Sequence, residues 1–216
     1  HGWVEKHWKY RSMAKTVADA NKWTHAATFG IGLQGKASDG AVEYYLDFNN
    51  GNGYKAPVRK DGMGFAARGV FNAEGGIVAS AMFSSNTPGT YDDGGTVMGS
   101  DEADTYFEGL LGYSGDGFSV NGQYGMFTNG GSDVKESGIS VFGRAELTEG
   151  TFGVARFDMV DPDTDTDDDG YNWILVGVDH ELHEGLFVQP SFRIKSFQMD
   201  GMDSQSEFVL TVFGNI

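Results

Sequence analysis

An acidic residue followed by glycine recurs along this sequence, at Asp39-Gly40, Glu74-Gly75, Asp116-Gly117, Glu149-Gly150 and Glu184-Gly185. Each pair lies between two runs in which apolar and polar residues alternate. Each therefore reads as a hairpin turn: Asp-Gly suits a tight type I′ turn, and Glu-Gly a slightly longer one with its glycine in the left-handed region. Between these short turns lie long polar connections, roughly 50–62, 85–102, 129–136, 160–171 and 198–206, made mostly of Asn, Gly, Ser and Asp. Short and long connections alternate along the whole chain, so every long loop falls at the same end of the hairpins.

Eleven strands are expected, at about 24–36, 41–49, 63–72, 77–84, 103–114, 118–128, 137–147, 151–159, 172–182, 186–197 and 207–216. Their period is two. In the last, Phe208, Leu210, Val212 and Ile216 face one way and Glu207, Thr211 and Asn215 the other. In 186–197 the sets are Val188, Phe192 and Ile194 against Gln189, Ser191, Arg193 and Lys195. Alternation alone fits a soluble sandwich with its apolar face inward, or a barrel with its apolar face on lipid. Loop asymmetry favours the barrel, because a sandwich has no reason to keep its long loops at one end, whereas outer-membrane barrels have short periplasmic turns and long outer loops. So do the 33 glycines, the 13% aromatic content and a mean hydropathy of −0.34 despite long strands. Phe29, Phe48, Phe71, Tyr113, Phe118, Trp173 and Phe197 lie near strand ends, where interfacial girdles form.

Composition removes other classes. With no Cys, disulfide scaffolds, thiolate metal sites and cysteine nucleophiles are out. The 31 acidic against 15 basic residues, net −16, argue against a nucleic-acid partner, which needs a basic face. No apolar run approaches the ~18–20 residues of a membrane helix. The expected fold is therefore all-β: an antiparallel up-and-down transmembrane β-barrel with about eleven strands visible, part of a larger even-stranded barrel in the bacterial outer membrane. Residues 24–216 supply the strands, and residues 1–23 form an outer loop or a plug-like segment. Eleven strands end on the short-turn side and begin on the long-loop side. An even-stranded barrel then needs an odd number of strands before His1, since open sheet edges in lipid are prohibitive.

Several stretches resemble a group of Gram-negative porins, the phosphate-selective porin O and P family and its relatives. They are Trp8-Lys9-Tyr10-Arg11, the glycine-rich strand Thr28–Gly35, Glu43-Tyr44-Tyr45-Leu46, Asn50-Gly51-Asn52-Gly53-Tyr54 and Phe65-Ala-Ala-Arg-Gly-Val-Phe71. The Asp-rich loop before Ile174–Asp179, and Leu186–Pro190, belong to the same pattern. The resemblance implies a porin whose further strands precede the Trp-x-Tyr-Arg region. Two departures separate the chain from the phosphate-selective members: it ends Phe213-Gly-Asn-Ile216 rather than on an aromatic residue, and no lysine cluster lies on its strands. The resemblance supports a porin and not phosphate selectivity.

Inward-facing charge is the chemistry of a pore, because rings of one sign set ion preference. By strand phase the expected pore-lining set is Arg68, Arg144, Arg156, Arg193 and Lys195 with Glu43, Asp47, Asp104, Glu108, Glu146, Asp158 and Asp179. This mixture suits a wide, water-filled, weakly cation-preferring channel, or simply cross-strand pairs that keep the lumen wet. Lys6, Trp8, Lys9, Tyr10 and Arg11 are a candidate constriction loop if residues 1–23 fold into the lumen; otherwise that segment packs on the rim. Asp165, Asp167 and Asp169 stand in an Asp-x-Asp-x-Asp-Gly pattern like the start of a calcium loop, but Val176 occupies the position of the bidentate Glu. Loose divalent-cation binding is the most the pattern implies, and no other cofactor is expected. Asp179 and His180 are strand neighbours that point to opposite faces, so no catalytic pair and no enzyme is expected.

The expected function is passive diffusion of small hydrophilic solutes or ions. The alternatives are a non-conducting barrel that sheathes a partner, or a soluble all-β binding domain. Expected partners are outer-membrane lipid and lipopolysaccharide, the solutes themselves, and copies of the chain in a homotrimer.

Overall fold

The computed structural model describes residues 2–24, 28–51 and 61–214. Two short helices come first, α1 (Gly2–Trp8) and α2 (Val17–Ala20). The strands follow in chain order: β1 (Gly30–Ala37), β2 (Val42–Asn49), β3 (Met63–Asn72), β4 (Ile77–Thr87), β5 (Gly89–Asp93), β6 (Thr96–Ser100) and β7 (Asp104–Ser114). They continue with β8 (Phe118–Thr128), β9 (Lys135–Thr148), β10 (Thr151–Asp161), β11 (Tyr171–His183), β12 (Leu186–Phe197) and β13 (Gln205–Gly214). Eleven of these form one antiparallel sheet in the order β1-β2-β3-β4-β7-β8-β9-β10-β11-β12-β13, while β5 and β6 pair only with each other. Among the described residues β1 and β13 are the two edges of the sheet and do not close on one another.

The acidic-glycine pairs are the hairpin turns. Their glycines take positive φ: 94° at Gly40, 81° at Gly75, 72° at Gly117, 71° at Gly150 and 76° at Gly185. Beside Glu149-Gly150 and Glu184-Gly185 the ladder shifts register, at Thr151/Phe152 and at Glu181/His183. A left-handed glycine closing a hairpin through a bulge produces such a shift. Neither Asp-Gly pair is the expected type I′ turn: Ser38–Gly40 form a 3₁₀ turn in which Ser38 and Asp39 also have positive φ, and at Asp116-Gly117 only the glycine has positive φ.

Two boundaries differ from the sequence reading. The first strand begins at Gly30 instead of residue 24; Trp23 and Thr24 belong to the preceding segment, and residues 25–27 lie outside the described residues. The connection expected over 85–102 contains the end of β4 and the β5–β6 hairpin, which turns at Gly94 and Gly95 (φ 63° and 90°). Asp93-Gly94 is the same acidic-glycine signal, here flanked by runs of five residues that do not enter the main sheet. The 50–62 connection falls mostly outside the described residues.

The strands inside the large sheet alternate between two environments, whereas the edge strand β1 is exposed along almost its whole length. One face exposes apolar side chains: Phe208 at 69%, Leu210 at 59%, Val212 at 64% and Val176 at 57%, with Ile31, Phe83, Leu111, Val141 and Phe192. The other carries the charged residues and two hydrophobic clusters that incorporate the N-terminal segment. The sheet must curl around that segment. Arg68 of β3 lies over the ring of Trp3, and Gln189 of β12 accepts a hydrogen bond from Ser12, nine residues further along. β3 and β12 are seven ladder steps apart, about 34 Å if the sheet were flat at ~4.8 Å per strand; only a rolled sheet brings both to one short segment.

The face assignment also sorts the strand-end aromatics. Phe29, Phe48, Phe71, Tyr113 and Phe118 are exposed on the outer side, with Phe48 against Phe65 and Tyr113 against Phe118 at ring separations of 5.2 and 5.3 Å. Trp173 and Phe197 are not part of a girdle. They face inward, Trp173 under Arg156 and Phe197 beside Lys195.

Candidate functional site: the inner face and the segment packed on it

The N-terminal segment docks through its apolar residues. Val4, Trp8, Tyr10 and Met13 bury against Val70, Val78, Leu110, Phe142, Val154 and Leu175 of the inner face. Val17, Ala18 and Trp23 form a second cluster with Met82, Tyr106, Phe127 and Val160. Trp8 is only 2% exposed and meets Phe142 edge to face at 5.6 Å. Burying an aromatic side chain of ~150–250 Å² contributes on the order of 4–6 kcal/mol at ~25 cal/mol per Å². Glycine makes room for the second anchor: a Cβ at Gly138 would stand 2.8 Å from the Trp23 ring. The inner wall is therefore not uniformly wet, because its middle is an apolar band that the segment covers.

Polar contacts fix the segment's register. The Trp23 indole donates to Glu136 at 2.6 Å, Tyr171 donates to Asn21 at 2.7 Å, and Ser12 donates to Gln189 at 2.7 Å. Gln189 in turn donates to Asp179 at 2.9 Å. The guanidinium groups of Arg156 and Arg193 donate to the main-chain carbonyls of Lys15 and Met13. Within the segment, the Trp8 indole donates to the Ala14 carbonyl, and Thr16 caps α2 by accepting from the Asp19 amide.

All twelve residues expected to line a pore lie on the face that carries the segment, and it divides them. Arg68, Glu108, Arg156, Asp158 and Asp179 are buried beneath it. Glu108 accepts from Arg68 at 2.7 Å, from the Tyr106 hydroxyl at 2.9 Å and from Gln123 at 2.9 Å. Asp158 takes both oxygens to Arg156, at 2.8 and 2.6 Å, and accepts from Ser140. These two pairs are neutralised within the wall, whereas Asp179 is held by the Gln189 amide. Glu43, Asp47, Asp104, Arg144, Arg193 and Lys195 are half-buried, and Glu146 is exposed. Arg193 pairs with Glu207 at 2.9 Å, and Lys195 sits 3.6 Å from the centre of the Tyr171 ring.

The candidate constriction residues also divide. Trp8 and Tyr10 are buried anchors, whereas Lys6, Lys9 and Arg11 are exposed, as are Lys15 and Lys22. Arg11 bonds Glu5 and pairs with Asp19 at 2.8 Å, and Lys15 lies 3.7 Å from Asp19. The local field is positive. His7 is held below its usual value, first by burial and then by Lys9, Arg68 and Lys6. Lys9 is lowered by burial and by Arg144. A polar cavity of about 520 Å³ opens between α1 and β1–β3, bounded by Trp3, Lys6, His7, Lys36, Glu43 and Asn72 among others.

Asp165, Asp167 and Asp169 are not gathered into a cluster of metal-ligating side chains. They sit on the exposed β10–β11 loop, where Asp163 accepts from the Asp165 amide and the Thr166 hydroxyl, and no three His, Asp or Glu side chains converge among the described residues. Asp179 is buried on the inner face while His180 is exposed on the outer one, 2.9 Å from the Thr151 hydroxyl. Sequence reasoning missed the anchors Val4, Met13, Val17 and Trp23. The signal was present: in residues 3–23 buried apolar positions interleave with exposed basic ones, without a regular period because the segment is mostly loop.

A rolled antiparallel sheet, apolar outside and charged inside, with a segment folded against its inner wall, is the fold of an outer-membrane β-barrel. Solved structures of this class are similar. OmpT with loop L8 deleted, an outer membrane protein of Vibrio cholerae, superposes with a TM-score of 0.59 at 13% identity, covering 85% of this chain and 62% of that one. In-vitro folded OmpT from the same organism gives 0.55 at 12% identity, covering 86% and 62%. This chain thus spans about 62% of the length of the structures it matches. No known family's sequence profile matches it, and neither does any curated protein.

Proposed function

We propose that the chain forms a water-filled pore in the bacterial outer membrane, through which small hydrophilic solutes diffuse without catalysis. One observation carries the reading: residues 2–24 fold against the inner wall and present hydrated charge on their free side, beside a polar cavity. A segment held in this way narrows a lumen and sets the size limit of a diffusing solute. The apolar outer face supplies the lipid contact, and the porin-like stretches of the sequence agree with this reading. Opposite placement of Asp179 and His180 leaves that pair without a joint catalytic role.

Planar-bilayer recording tests the proposal. Steady ohmic current is expected, with a larger unit conductance in Trp8→Ala, which loosens the segment. The dry packing of Trp8 and Val4 favours one second reading, a barrel closed by its own segment. In that case the wild type is silent and only Trp8→Ala conducts. Silence of both variants ends the pore proposal.

A further inference from the structure

We infer that the free edge of the N-terminal segment makes this pore prefer anions, with Lys6, Lys9 and Lys22 as the residues that set the preference. The inference rests on the pore reading above and goes beyond it by assigning the sign of the favoured solute. Residues 2–24 hold five basic side chains against two acidic ones, Glu5 and Asp19, in a chain whose net charge is −16. All five basic side chains are exposed, whereas Asp19 is buried and, with Glu5, engages Arg11 and Lys15. Lys6 and Lys9 remain as exposed positive charge beside α1, and Lys22 adds another beside Trp23, towards the other end of the strands.

The wall offsets this charge only in part, through Asp179 and Glu136, which accept from Gln189 and Trp23. Arg68 is matched by Glu108 and Arg156 by Asp158, both pairs sealed under the segment, so the count of inward charges on the strands misstates what a solute meets. The cavity beside α1 leaves Lys6 as its net charge: Lys36 is paired with the facing carboxylate of Glu43 at 3.1 Å, which also accepts from the Tyr45 hydroxyl and Asn72. The positive charges near His7 also lower its proton affinity after burial, a local sign of the same field. Most of the acidic excess lies elsewhere, on exposed connections such as 161–169. At an ionic strength of ~0.1 M the Debye length is ~10 Å, so charge on a distant loop is screened while charge at a constriction is not.

The test is a reversal-potential measurement on the whole protein in planar bilayers under a KCl gradient near 0.1 M. Wild type is expected to pass chloride in preference to potassium. Lys6→Gln/Lys9→Gln/Lys22→Gln together should lower the anion-to-cation permeability ratio several-fold, and Lys9→Glu alone should move it in the same direction. The preference should fade at 1 M salt. Heat-modifiable gel migration and unchanged unit conductance at 1 M salt certify that each variant is folded. Potassium preference in the wild type, or an unchanged ratio in the folded triple variant, overturns the assignment while leaving the pore intact. Absence of conductance in every protein overturns both.

Discussion

At the residue scale, the inner wall holds two sealed ion pairs, Arg68–Glu108 and Arg156–Asp158. Glu108 is 1% exposed and receives three donors. Glu108→Ala leaves the Arg68 guanidinium buried without its carboxylate and is expected to cost about 3–5 kcal/mol, read as a lower denaturant midpoint for loss of barrel structure. Replacing both partners, Arg68→Met with Glu108→Leu, should recover most of that loss. His7 gives a pH-dependent counterpart. Its proton affinity is lower in the folded protein, so the docked segment binds fewer protons than the free one. Docking is therefore fully favoured above the ordinary histidine value of 6.5 and weakens as pH falls through the depressed one. Protease accessibility of residues 2–24 should rise between pH 7.5 and 5, and His7→Gln should flatten that dependence.

At the element scale, the segment and the strands were not equally legible. The acidic-glycine turns and the period-two runs placed ten of the eleven main strands within a few residues, because register and turn geometry are local. The expected first strand, 24–36, starts too early because Thr24 belongs to the docked segment, whose end is fixed by the contacts of Trp23 with Glu136, Tyr106 and Gly138 far away in the sequence. The inward phase of the charged residues was readable from alternation; their burial was not, since it depends on a segment that lacks a period. Trp8→Ala is expected to weaken docking by about 3–5 kcal/mol. It should increase proteolysis within residues 2–24 while leaving heat-modifiable migration of the barrel unchanged.

At the scale of the whole molecule, the apolar and charged faces are arranged in the reverse of a soluble protein: Phe208, Leu210 and Val212 are outside while Arg68, Glu108 and Asp158 are inside. Such an extent of exposed apolar surface is stable only against another apolar phase. All four tryptophans lie on the inner side, three in the segment and Trp173 on β11. Tryptophan quenching by lipids brominated at the middle of the acyl chain reads this arrangement directly. Native emission should be little affected, Leu210→Trp should add a strongly quenched component, and Thr211→Trp on the opposite face should not. Strong quenching of the native tryptophans with none at Leu210→Trp would contradict the arrangement.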